Sequence, residues 1–182
     1  MDKVKLTPRD MALCALFTAL IAVGAFIRIP LPTTPFTLQV MFTTLSGLLL
    51  GSRLGAVSTG LYMILGLCGL PVFTTGGGLS YVLQPTFGYI IGFIPGAWLA
   101  GFIAERSKTK SFKVMLSASL ANLLIIYTIG VTYYYLITTY YLNSPIAASV
   151  LLVQCVLLVI PGDILCCVAD AILIRRLWRV LK

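Results

Sequence analysis

The chain has 182 residues, 59% apolar and 10% charged, with a formal net charge of +8. A soluble domain carries about 25% charged residues, so this composition excludes a soluble enzyme and leaves the lipid bilayer as the natural solvent. There is no histidine, which excludes imidazole metal sites, Ser-His or Cys-His catalysis and histidine proton relays; no resident metal or cofactor is expected.

The first apolar run follows Lys3, Lys5 and Arg9. Val23-Gly24-Ala25 could pass as a signal-peptide cleavage site, but the run continues to Ile29 and further apolar runs follow, so a first transmembrane helix is expected. A spanning helix needs about 20 apolar residues. On that basis the chain reads as an all-α, polytopic membrane protein: one domain, 1–182, with six transmembrane helices in one bundle. The predicted spans are about 10–29, 36–51, 54–70, 85–104, 114–140 and 147–174. Pro30, Pro32 and Pro35 punctuate the first break, Ser52-Arg53 the second, Pro71 to Gly78 the third, the charged stretch 105–113 the fourth and Asn143-Ser144-Pro145 the fifth.

The charges orient this bundle. With the N-terminus cytoplasmic, Lys3, Lys5, Arg9, Arg53, Arg106, Lys108, Lys110, Lys113, Arg175, Arg176, Arg179 and Lys182 fall inside and only Arg28 outside. An even number of spans with both termini cytoplasmic therefore satisfies the positive-inside rule. Clustered at the ends of apolar runs, these cations anchor to a membrane surface; the stacking aromatics of a nucleic-acid groove are missing. Tyr133, Tyr134, Tyr135, Tyr140 and Tyr141 crowd the outer end of the fifth span, where amphipathic rings anchor.

In lipid, helices associate through small residues that let backbones approach. The fourth span carries Gly88, Gly92, Gly96, Ala100 and Ala104 at every fourth position, and Gly47, Gly51 and Gly55 form a second ridge. Both fit packing inside the bundle. In the first span, Ala12, Ala15, Ala19 and Ala22 form a stripe that suits either internal packing or a contact with another protein.

Cys14, Cys68, Cys155, Cys166 and Cys167 lie in apolar runs without a CxxC spacing and read as small hydrophobes. Ionisable groups inside the membrane are functional candidates by default. Asp163 follows Pro161-Gly162 and lies 12 residues before Arg175, or ~18 Å above the inner interface at 1.5 Å per residue. A carboxylate at a broken helix reads as a ligand site; a hydrogen bond that fixes the bundle is the plainer alternative. Asp170 shares that face nearer the inner interface, where an ion pair with Arg53 or the terminal arginines is expected. Gln39, Asn122 and Gln154 are candidates for interhelical hydrogen bonds. Gly76-Gly77-Gly78 lies in an outer loop, and no GK[ST] follows it, so it is not a phosphate-binding loop.

These residues form an ordered set. Pro30-x-Pro32, Thr34-Pro35-x-Thr37-x-Gln39 and Leu50-Gly51 come first. Gly66-x-x-Gly69-Leu70-Pro71-Val72-Phe73 precedes the glycine loop, Pro85-Thr86-x-Gly88-Tyr89-x-x-Gly92-Phe93 follows it, and Pro161-Gly162-Asp163 comes last. Over about residues 7–175 the chain resembles the BioY family, the biotin-binding S components of energy-coupling factor (ECF) transporters. The resemblance implies a multi-pass protein of a bacterial plasma membrane that takes biotin as ligand in its outer half. It also implies partners, one transmembrane coupling protein and two cytoplasmic ATPases, that dock on an AxxxA face matched by Ala15 and Ala19. The chain itself would then be no enzyme. The substrate-binding set implied by position is Gln39, Phe36, Phe73, Gly76, Gly77, Tyr81, Thr86, Tyr89, Asp163 and Cys166.

One departure is informative. Many members of the family place a lysine one helical turn after the Pro-Gly-Asp aspartate, and here that position is Cys166; some carry an arginine in the glycine loop, and here it is Gly77. The remaining partners for the biotin carboxylate are loop N–H groups, the hydroxyls of Thr86, Tyr81 and Tyr89, or Arg28. At the other end of the ligand, Asp163 is placed to accept from a urea N–H, Gln39 to bond the urea, and Phe36, Phe73 and Tyr89 to pack the bicycle. Two other classes fit the residues without the resemblance: a proton-coupled secondary transporter of a small organic acid using Asp163, and a membrane assembly factor with no ligand.

Overall fold

The computed structural model describes residues 7–31, 33–144 and 146–180, without the side chains of residues 148 and 178–180. Lys3, Lys5, Pro32, Pro145, Lys182 and the Arg179 side chain, all used above, lie outside the described residues.

The chain is mostly helical. Helix α1 (Pro8–Phe26) opens on a capping box: the Asp10 N–H donates to Thr7 Oγ1 at 3.2 Å and the Thr7 N–H to Asp10 Oδ2 at 3.0 Å, with Pro8 at the first helical position. It buries Cys14, Phe17, Thr18, Ile21, Gly24 and Ala25 and leaves Ala12, Ala15 and Ala19 exposed. The Thr18 hydroxyl ties it to the Ser58 carbonyl at 3.0 Å. Where a proline-rich break was expected, β1 (Arg28–Ile29) and β2 (Phe36–Thr37) pair as a short antiparallel hairpin.

That hairpin takes the first residues of the second predicted span. Helix α2 (Gln39–Leu50) is therefore 12 residues long, and α3 (Ser52–Leu67) 16. At 1.5 Å per residue α2 is about 18 Å long, well short of a hydrocarbon core. Among the described residues, four helical segments are long and apolar enough to cross a membrane: α1, α4 (Phe87–Arg106), α5 (Phe112–Leu136) with its π-helical extension to Tyr141, and the stretch Ser149–Leu177. The last is not one rod. Helix α6 (Ala148–Leu152) runs into a π-helical turn (Val153–Leu157), and α7 (Ile160–Val180) restarts with Pro161 in its first turn, where a missing N–H costs nothing.

The small-residue ridges pack inside the fold. A Cβ added to Gly88 would strike Tyr133, one on Gly92 would stand 3.0 Å from the Ile126 Cα, and one on Gly96 would strike the Asn122 carboxamide. The fourth-position stripe of α4 is thus the groove for antiparallel α5. Asn122 also reaches α2, its Nδ2 donating to Thr44 Oγ1 at 2.7 Å. Gly47 of α2 meets the Ala97 carbonyl and Gly55 meets Gly47.

At the turn between α2 and α3, Gly51 adopts φ +88°, and Glu105 of α4 fills the space a side chain would take. The Ser52 N–H and hydroxyl each donate to the Glu105 carboxylate at 2.8 Å. An anion here satisfies orphan donors at the start of α3 and faces the positive end of its dipole.

Two expectations change. Among the described residues Asp170 joins no ion pair: it is fully buried, and neither oxygen has a hydrogen-bond partner there. Arg53, Arg175 and Arg176 lie on exposed faces instead. The tyrosine cluster divides. Tyr135, Tyr140 and Tyr141 point outward, whereas Tyr134 is buried and Tyr133 packs on Gly88 and Phe87, its hydroxyl donating to the Val82 carbonyl at 2.5 Å. All five cysteines are free thiols, buried except for Cys68.

Candidate ligand-binding site

A cavity of about 220 Å³ opens where the hairpin, the loop after α3 and the upper ends of α2, α4, α5 and α7 converge. Its wall is graded. The deep end holds Gln39, Tyr127 and Asp163, all buried, with Val40, Ile90, Phe93 and Ile126 between them. The rest of the wall is polar: Thr33, Thr34 and Thr37 from the hairpin side, and Thr74, Thr75, Tyr81, Gln84 and Thr86 from the loop side, with Thr34, Thr37 and Tyr81 buried. Thr75 and Gln84 are exposed and mark the mouth.

Asp163 sits in the first turn of α7, where the helix dipole favours a carboxylate. Its Oδ2 accepts a hydrogen bond from the Tyr127 hydroxyl at 2.6 Å, while buried Oδ1 has no hydrogen-bond partner among the described residues. A buried acceptor left without a donor costs roughly 1–3 kcal/mol, so this atom is suited to a donor that arrives with a ligand. Gln39 begins α2. Its Oε1 accepts from Thr37 Oγ1 at 3.2 Å, and its Nε2 donates to the Tyr62 hydroxyl, which donates on to the Val72 carbonyl at 3.1 Å. One amide N–H and one lone pair of Gln39 are left to offer.

Tyr89 projects from α4 with its ring over Gly130 and edge-on to Tyr127, centroids 6.2 Å apart. Its hydroxyl reaches the Cys155 carbonyl at 3.4 Å, beside the π-helical turn. Thr33 bonds Gln154 and Thr34 donates to Cys155 Sγ at 3.5 Å, which fastens the hairpin to the same turn. Opposite, Arg28 donates to the Thr74 carbonyl at 2.6 Å and fastens the hairpin to the glycine loop. Both rims of the mouth are thus tied to β1–β2.

Of the residues predicted from the sequence, Gln39, Tyr81, Thr86, Tyr89 and Asp163 line this cavity. Phe36, Phe73, Gly76, Gly77 and Cys166 do not. Phe36 points to the other side of its strand: its ring lies on Gly162, where an added Cβ would stand 2.6 Å away, and with Cys166 it lines an apolar groove on the outer flank of α7. Phe73 is fully buried behind the wall, on Gly66, and carries Tyr81 on its own ring with centroids 4.5 Å apart. Gly76 makes the turn that pairs its N–H and C=O with Phe73, at φ +129°, and Gly77 lies against the Leu70 carbonyl. The glycines shape the loop, and its threonines face the ligand space. Thr33, Thr34, Thr37, Thr74, Thr75, Gln84 and Tyr127 were not singled out as site residues. A lone phenol mid-span in Ile126-Tyr127-Thr128 carries a hydroxyl that seeks a partner when buried, and this was the available signal for Tyr127.

A bundle of apolar helices enclosing a small cavity, polar at both ends, defines a membrane protein that binds a small ligand. The model of the BioY family matches residues 1–182, and the chain belongs to that family. It is 44% identical over 173 residues to a Lysinibacillus sphaericus protein named "Probable biotin transporter BioY", covering 95% of this chain and 88% of the relative. It is 47% identical over 124 residues to the biotin transporter BioY of Thermotoga maritima, covering 68% and 72% of the two chains. The fold is similar to a crystal structure, at 2.1 Å, of the S-component for biotin from an ECF-type ABC transporter, with a TM-score of 0.78 and 28% identity over 94% of this chain and 91% of that one.

Proposed function

We propose that this chain binds biotin in the cavity and serves as the substrate-specificity subunit of an ATP-driven ECF importer in a bacterial plasma membrane. The observation that carries the reading is the Asp163 carboxylate, with Oδ2 held by Tyr127 and Oδ1 buried and unpartnered at the deep end. A cyclic urea supplies the donor this atom lacks, and a charge-assisted bond of this kind is stronger than a neutral one. The Gln39 amide is positioned to bond the same urea, and Tyr89, Ile90, Phe93 and Ile126 offer apolar surface to the bicycle.

Transport requires partners. The exposed Ala15 and Ala19 leave a flat strip on α1 against which a coupling-protein helix packs closely. ATP hydrolysis belongs to two cytoplasmic ATPases, and this chain contributes binding. The same reading takes the chain as one membrane domain of six spans, the short α2 and α3 included, with both termini on the basic, cytoplasmic side.

Native mass spectrometry of the purified protein tests the reading. A bound mass equal to biotin is expected, displaced by added labelled biotin. A different co-purified mass that biotin does not displace overturns it.

A further inference from the structure

The grading of the cavity bears on the ligand's other end, and the inference rests on the biotin reading. The deep end already holds a carboxylate, Asp163, so the anionic tail of biotin is repelled from it and lies toward the mouth. Exposed Thr75 and Gln84 mark it, and the wall around them includes Thr33, Thr34, Thr74 and Tyr81, so that it offers hydroxyls and one amide. Among the described residues no lysine or arginine lines the cavity. Cys166 faces the outer flank of α7 and not the cavity. Arg28, the cation nearest in the fold through its bond to the glycine loop, donates to the Thr74 carbonyl and is not part of the wall.

Neutral hydroxyls and amides can bond either a carboxylate or a carboxamide, by accepting or donating; the stronger bonds a carboxylate accepts are offset by its larger cost of leaving water. A fixed cation discriminates between the two, since only the carboxylate gains a charge-assisted pair. We infer that the ring of neutral donors at the mouth makes this site indifferent to the charge of the tail, so that it accepts biotin derivatives with a neutral, amidated carboxyl as well as biotin itself. Specificity then resides in the ureido bicycle at Asp163 and Gln39. The tail contributes by length and hydrogen bonding.

Isothermal titration of the full chain in detergent, with biotin and with its primary amide, tests the inference. The two dissociation constants are expected to agree within tenfold, and their ratio to be unchanged in Arg28→Gln. A loss of tenfold or more for the amide overturns it, as does an Arg28→Gln variant that loses affinity for biotin but not for the amide. Failure of both ligands to bind the wild-type chain instead contradicts the biotin reading itself.

Discussion

Tyr127 of α5 donates its hydroxyl to Asp163 of α7 at 2.6 Å and so holds one oxygen of a carboxylate that borders the cavity. Oδ2 is occupied, and Oδ1 is buried without a hydrogen-bond partner among the described residues. A carboxylate free to rotate about χ2 must be ordered by its ligand, whereas this one is ordered beforehand, and preorganisation of that kind lowers the cost of binding.

Removing the phenolic hydroxyl tests that relationship. Hydrogen bonds to charged groups contribute about 1.5–3 kcal/mol, part of which is orientation. Tyr127→Phe is expected to weaken biotin binding by about tenfold or more while the protein still purifies as a folded species. Calorimetry measures it, and unchanged affinity removes Tyr127 from any positioning role.

The seat of Phe73 on Gly66 gives a stability prediction. A methyl at position 66 would overlap a ring that is fully buried and cannot swing away. Overpacking of this kind costs about 1–3 kcal/mol, and because Tyr81 rides on Phe73, the wall moves with it. Gly66→Ala is expected to lower the thermal unfolding midpoint in detergent and to weaken biotin binding together. A full-strength site with an unchanged midpoint contradicts this packing argument.

The Glu105 cap on buried Ser52 gives another. Ser52 offers it two hydrogen bonds at the N-terminus of α3. Loss of a helix cap costs about 1 kcal/mol, and more where the donors stay buried. Glu105→Ala is expected to destabilise the fold without changing biotin affinity, since the cap lies at the opposite end of α2 from Gln39 and the cavity. Thermal unfolding and titration together separate the two effects.

The helices were legible because lipid leaves the chain few choices: apolar runs of the right length had to be helical, and the glycine stripe of α4 had to meet a neighbour. The π-helical turn before Pro161 was less legible than Pro161 itself, because a missing N–H announces a break but not how the preceding turn adapts. In the site, Asp163 and Gln39 stood out as polar groups that the bilayer makes expensive. Phe36 misled because a two-residue strand alternates its faces: Thr37 is turned to the cavity and Phe36 away, onto Gly162. The glycine loop misled in a related way. Positive φ at Gly76 is a property of the turn, and the side chains that face the cavity are its neighbours Thr74 and Thr75. Asp170 was placed by distance from the terminal arginines, yet the face of α7 on which it lies is turned into the bundle.

The docking proposed for the exposed alanine strip of α1 gives a prediction that separates binding from assembly. Ala15→Trp or Ala19→Trp is expected to leave biotin affinity intact, because α1 does not line the cavity. The same variants are expected to lose co-purification with the coupling protein and its ATPases. Retained assembly in both variants contradicts docking through this strip.

The central claim is that Asp163 binds the urea of biotin through its free oxygen. Isothermal titration of biotin into the purified protein, wild type against Asp163→Asn, tests it most directly. Asparagine keeps the size of the side chain and replaces one acceptor by a donor and the charge by none. Saturable binding to the wild type with one ligand per chain, reduced by at least a hundredfold in Asp163→Asn, is the result expected; equal affinity in the two proteins would contradict the account.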